Sequence, residues 1–183
     1  RRAITILRKA PDGVSAADDA NHRLARLYMS QERYSQAEPL LLETLQSRTA
    51  SGDTSSMDAF VCLKDLARLA HLQDNSPIAA NFLRSAVSVL LTLPDCLVSG
   101  EDLRWMTICL LDAAQAPLVQ ALLQHQAAQT EKRFGTGALE SARMNEETGD
   151  FLFQHDNKTE AKGHFRKALL AYRQHLTSQD PQI

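Results

Sequence analysis

Residues 24–28 read Leu24-Ala25-Arg26-Leu27-Tyr28, and residues 66–70 read Leu66-Ala67-Arg68-Leu69-Ala70. The two stretches lie 42 residues apart. A further 42 residues reaches Cys109, again small, and 40 more reaches Gly149. Twelve residues beyond each small residue stands an alanine: Ala37, Ala79, Ala121 and Ala161. Four residues beyond those come Leu41, Leu83, His125 and Phe165, then Thr44, Ala86, Ala128 and Ala168. His125 alone is discordant in a pattern that occurs four times. Self-similarity at a fixed period of this size marks a repeat architecture, in which each unit is one supersecondary element.

Punctuation between the matches predicts helix pairs. Ser35 with Glu38 and Asn157 with Glu160 have capping-box spacing. Ser76-Pro77 and Ala116-Pro117 place proline at the first helical position. Glycines fall between units at Gly13, Gly52, Gly100, Gly135 and Gly137, and no segment sustains strand alternation. First helices are expected near 15–31, 55–73, 100–114 and 138–155, and second helices near 35–50, 77–93, 117–134 and 158–177. The repeats then span about 15–52, 53–94, 95–135 and 136–178. Residues 1–14 read as the end of a preceding repeat helix and its connector.

Composition limits the function. The chain has 183 residues, 44% hydrophobic and 23% charged, which suits a packed soluble protein. Lys+Arg number 20 against 22 Asp+Glu, so no basic excess points to nucleic acid. The longest apolar runs, Ala59–Leu63 and Ala168–Tyr172, are too short for membrane insertion. Three widely spaced cysteines make a disulfide framework unlikely to form and suit a reducing compartment, so a cytoplasmic location is expected. A chain beginning Arg1-Arg2-Ala3 reads as a fragment of a longer one.

The small–alanine–large pattern resembles the tetratricopeptide repeat. Trp105, four before Cys109, and Tyr28, three after Ala25, stand where that motif places its tryptophan and tyrosine. The 42-residue spacing, with Tyr34-Ser35-Gln36-Ala37-Glu38-Pro39-Leu40-Leu41-Leu42-Glu43-Thr44-Leu45, looks like the longer kinesin-light-chain type. The resemblance implies an all-α fold, an α-α superhelix of about four helix pairs. Small residues would mark the helix crossings, because a larger side chain there forces the helices apart. It also implies that first helices line a concave groove suited to a peptide segment.

At the family's offsets, repeat one would offer the groove Asp19, His22, Arg23, Arg26 and Met29. Repeat two would offer Val61, Lys64, Asp65, Arg68 and His71. Repeat three would offer Leu103, Met106, Thr107, Leu110 and Ala113, and repeat four Arg143, Glu146, Glu147, Asp150 and Phe153. The candidates chosen are His22, Arg23, Arg26, Lys64, Arg68, His71, Met106, Leu110, Glu146 and Asp150. The basic members favour an acidic peptide with a hydrophobic anchor, though a solvated face is the competing reading. Core packing competes for Leu103, Met106 and Leu110.

No HExxH, zinc spacing, GxSxG, Walker loop or GxGxxG occurs, so no catalytic residue, metal or cofactor is expected. The leading reading is a non-enzymatic protein-interaction domain acting as scaffold or adaptor. The alternative is a regulatory sensor module of a larger effector or enzyme, binding a peptide signal or autoinhibitory segment. A structural scaffold that self-associates through its ends is the third.

Overall fold

The computed structural model describes residues 13–179; the expected helical end within residues 1–10 lies outside them. Eight helices and no strand occur among the described residues: α1 (Gly13–Ser30), α2 (Tyr34–Ala50), α3 (Met57–Leu72), α4 (Ser76–Leu90), α5 (Gly100–Asp112), α6 (Ala116–Phe134), α7 (Leu139–Gln154) and α8 (Lys158–Gln179). They fall into two compact units, the first ending at Leu93 and the second beginning at Pro94.

Each pair is joined by the same turn. Glu32, Asp74, Ala114 and Asp156 have φ of 58°, 58°, 56° and 62°, the left-handed region. The following N–H donates back to the carbonyl of Tyr28, Ala70, Leu110 or Leu152 at 2.8–2.9 Å. The left-handed residue's own N–H donates to Met29, His71, Leu111 or Phe153 at 2.9–3.2 Å. This is a Schellman ending, which satisfies the last carbonyls of each first helix.

The helix starts differ from expectation in detail. Asn75, not Ser76, caps α4, accepting from Ile78 N–H, with Pro77 in the first turn. Asn157 does cap α8 through Glu160 N–H at 3.4 Å. Ser35 lies inside α2, whose cap position is Arg33 with no side-chain bond, so no capping box forms there. Ser56 and Ser99 cap α3 and α5 by accepting from Ala59 and Asp102 N–H.

The core of unit 1 joins three helices. Ala25 of α1 and Ala37 and Leu41 of α2 are fully buried, clustered with Cys62, Leu66 and Leu69 of α3. Ala67 and Ala79, the matching pair in repeat two, are 0% and 1% exposed. In repeat four the crossing is tightest: a Cβ on Gly149 would lie 2.8 Å from Phe165 Cε1.

Repeat three corrects the expected register. Its turn residue Ala114 follows Asp74 by 40 residues, not 42. The equivalents of Ala67, Ala79, Leu83 and Ala86 are therefore Thr107, Val119, Leu123 and Gln126. Val119, Leu123 and Gln126 are 0%, 5% and 1% exposed. Cys109, Ala121 and His125 are only half-buried and Ala128 is exposed, so none of them marks the crossing. Trp105 accordingly loses the motif's tryptophan place to Leu103. The buried Gln126 amide holds the α4–α5 connector, donating to the Cys96 carbonyl at 3.2 Å and accepting from Val98 N–H at 2.9 Å. With Thr107 and Val119 where other repeats carry Gly or Ala, α5 and α6 meet over a shorter stretch than the other pairs.

Candidate functional site

In unit 1 the first helices α1 and α3 enclose a cleft of about 240 Å³. Arg26, Met29 and Ser30 form one wall, and Asp65, Arg68 and Leu72 the other. Relative to Ala25 and Ala67, both arginines occupy the next position, so the repeat itself brings the two guanidinium groups to one opening. Asp65 sits at the base, 5% exposed. Its Oδ2 lies 2.8 Å from His22 Nε2 and 3.6 Å from Arg26 Nε. The Arg26 side chain remains 67% exposed, its charge available at the rim.

The spacing of these walls is fixed from behind by Arg48 of α2. Its buried guanidinium pairs with Asp19 of α1 at 3.1 Å, Asp53 of the connector at 3.0 Å and Asp58 of α3 at 3.2 Å. Burial lowers the Arg48 pKa, but the hydrogen bond from Asp53 and the charges of Asp58, Asp53 and Asp19 outweigh it and the pKa is raised. One cation thus ties three helices while its carboxylates stay partly hydrated.

Of the candidates in this unit, the structure brings His22, Arg26 and Arg68 together around Asp65. Arg23 and His71 are exposed and Lys64 is half-buried, and none of the three lines the cleft.

Unit 2 has its own cleft of about 280 Å³ between α5 and α7, floored by Leu123 of α6. Arg104, Ile108 and Leu111 face Glu147, Asp150 and Phe151 across it. Asp150 lies where it was expected. Met106 and Leu110 do not: both are 0% exposed. The two-residue register change turns them inward and turns Arg104, Ile108 and Leu111 to the cleft. Sequence reasoning missed those three, although Pro77 and Pro117 stand 40 residues apart and carry the correct register. Glu146 is exposed and accepts a 2.6 Å hydrogen bond from Tyr172 of α8 instead of lining the cleft. That hydrogen bond is the main reason the Tyr172 pKa is raised.

Among the described residues, no group of three or more His, Cys, Asp or Glu side chains is placed to hold a metal ion. No described helix is long and apolar enough to cross a membrane. Burial pushes the Cys62 thiol up to about 12, far from a reactive thiolate. Cys96 and Cys109 are raised for the same first reason.

Paired helices with small crossing residues, a recurrent Schellman turn and a cleft between successive first helices agree with a comparison to known families. The tetratricopeptide repeat model matches residues 17–91. Those residues are tetratricopeptide repeats. The match spans the four helices that build the Arg26–Arg68 cleft. The chain is also similar to the crystal structure of BtubC (BKLC) from P. vanneervenii, at 14% identity and a TM-score of 0.54. The alignment covers 98% of this chain and 77% of that one, and at such identity it shows the fold alone, an all-α helical repeat of the α-α superhelix class. No curated protein matches the chain. Tetratricopeptide repeats are protein-interaction modules, so the coarse role of this chain is to bind protein.

Proposed function

We propose that the chain is a non-enzymatic adaptor or scaffold whose α1–α3 cleft binds an acidic peptide segment of a partner protein. The observation that carries this reading is the cleft itself: Arg26 and Arg68 at the rim, with Met29 and Leu72 as apolar walls. A carboxylate suits a guanidinium fork, and an aliphatic anchor suits the walls. The buried Asp65 neutralises part of the positive charge and turns His22 and Arg26 toward the opening, which sets where the ligand's charge must lie. Exposed charges act mainly on encounter rate and orientation, so binding is salt-sensitive. The three thiols are unpaired, which fits a reducing compartment such as the cytosol.

The test is Arg26→Glu with Arg68→Glu, assayed for affinity to a partner recovered by pull-down, at two salt concentrations. Affinity is expected to fall at least tenfold, about 1.4 kcal/mol, while the helical circular-dichroism signal is unchanged. Unchanged affinity with no salt dependence would remove the cleft from partner binding.

A further inference from the structure

The largest described cleft lies elsewhere, at the α7–α8 end of unit 2, with a volume of about 440 Å³. Its apolar lining is Phe153, Ala161, Phe165 and Leu169. Each lies 124 residues after a residue of repeat one: Met29, Ala37, Leu41 and Leu45. In unit 1 those four pack against Cys62, Leu66 and Leu69 of α3, the first helix of the following repeat. Unit 2 repeats the arrangement. Val119, Leu123 and Ala127 of α6, the same positions in repeat three, are buried where α7 packs on α6. Twice in this chain, then, this surface is covered by an amphipathic helix. At α8 it is open: Phe153 is 57% and Leu169 51% exposed.

The rim differs from its counterpart. Lys158, Lys162 and Arg166 surround the cleft, and no acidic side chain lines it. Tyr34, Glu38 and Leu42 hold the matching positions of α2. Three cations spaced by four along one helix repel one another, an arrangement that neutralisation from outside would relieve. Lys158 has one neighbour of opposite charge, the exposed Asp156 at 2.9 Å.

We propose that this face docks an acidic amphipathic helix of a partner protein. The helix lays an apolar i, i+4, i+7 stripe, spaced as Cys62, Leu66 and Leu69 are on α3, into the Phe153–Phe165–Leu169 cleft. Asp and Glu residues on its flank meet Lys158, Lys162 and Arg166. The charge selects the occupant: the apolar stripe admits any amphipathic helix, and the cationic rim rejects basic ones. The site is separate from the α1–α3 cleft and uses a helical ligand in a groove where that cleft takes a peptide between first helices.

The probes are two helix-stabilised fluorescent peptides with the α3 sequence, residues 57–72. One carries Lys64→Glu and Arg68→Glu, the other Asp58→Lys and Asp65→Lys. Both keep the apolar stripe. Fluorescence anisotropy with the chain should show saturable binding of the acidic peptide at least tenfold tighter than the basic one. Lys162→Glu with Arg166→Glu should reverse that order, and Leu169→Asp should abolish binding of both. Leu169 is half exposed, so its replacement should leave circular dichroism unchanged. The Arg26→Glu, Arg68→Glu variant should bind the acidic peptide as before, which separates this site from the proposed α1–α3 site. Equal affinity for the two peptides, binding insensitive to Leu169→Asp, or no saturable binding overturns the proposal. So does sedimentation showing that the chain self-associates through the Leu169 face, which would make a second copy the occupant.

Discussion

Gly149→Ala puts two measurable effects in opposition. A Cβ at that position would lie 2.8 Å from Phe165 Cε1, 2.9 Å from Cδ1 and 3.2 Å from Cζ. Carbon pairs rest at about 3.5–4.0 Å, so the ring must withdraw by roughly 0.7 Å or the helices must part. Overpacking of this kind costs about 1–3 kcal/mol. Alanine in place of glycine inside a helix contributes about 0.8–1.0 kcal/mol the other way. The net expectation is a loss of about 1 kcal/mol. In a Phe165→Ala background the clash is gone and only the helix gain remains, so there Gly149→Ala should stabilise. The assay is urea denaturation followed by the fluorescence of Trp105, the sole tryptophan, which lies in unit 2 and reports that unit. The coupling energy between the two substitutions should be about 1–3 kcal/mol. If Gly149→Ala changes stability equally in both backgrounds, the residue is not a close crossing point and the packing argument for the whole repeat fails with it.

Three further outcomes follow from the structure. Ala114→Gly should stabilise unit 2 by about 0.5–1 kcal/mol in the same assay, because Ala114 holds a φ of 56° that an L side chain adopts at a cost. Stability of unit 2 should fall as pH drops below about 6.5, the ordinary imidazole value. Burial first, and then Lys167, depress the His164 pKa, and burial depresses that of His125, so the unfolded chain binds protons that the folded one resists. Thermal melts at pH 7 and pH 5 check this, and His164→Gln should flatten the slope. Native Cys62, with its pKa pushed to about 12, should resist a thiol reagent at pH 8 while the half-buried Cys109 reacts; mass spectrometry of labelled protein distinguishes them.

The fold was legible where a steric rule leaves little choice. Only a small side chain fits where two helices cross closely, so Ala25, Ala37, Ala67 and Ala79 stand out, and all are 0–1% exposed. Repeat three was legible only in part, because small residues are plentiful there and several registers satisfy the rule. Cys109, Ala121 and Ala128 match at 42 residues by composition, while Thr107 and Val119, the true crossing residues, are too large to be recognised as such. The connector between α4 and α5 is two residues shorter than its counterparts, and a fixed period cannot show that. The Pro77–Pro117 spacing does, since proline in a first helical turn marks a backbone position irrespective of what packs there.

The binding chemistry follows from a different constraint. The position just after each crossing residue is Arg26, Arg68, Ile108 and Asp150: two cations, an aliphatic and an anion. All four line clefts between first helices. The crossing one residue earlier dictates how near the helices come, and it tolerates little. The residue after it points away from that seam, so its chemistry changes without moving the backbone. Fold and ligand preference are therefore written in adjacent positions under separate selection rules. A repeat pattern identifies the cleft, and the charge and shape of the variable position decide what enters it. The same division holds on α8, where Ala161 keeps the crossing role of Ala37 while Lys162 and Arg166 replace Glu38 and Leu42 at its rim. A face that the repeat builds to receive a helix becomes selective for an acidic one by two substitutions that leave the packing seam untouched.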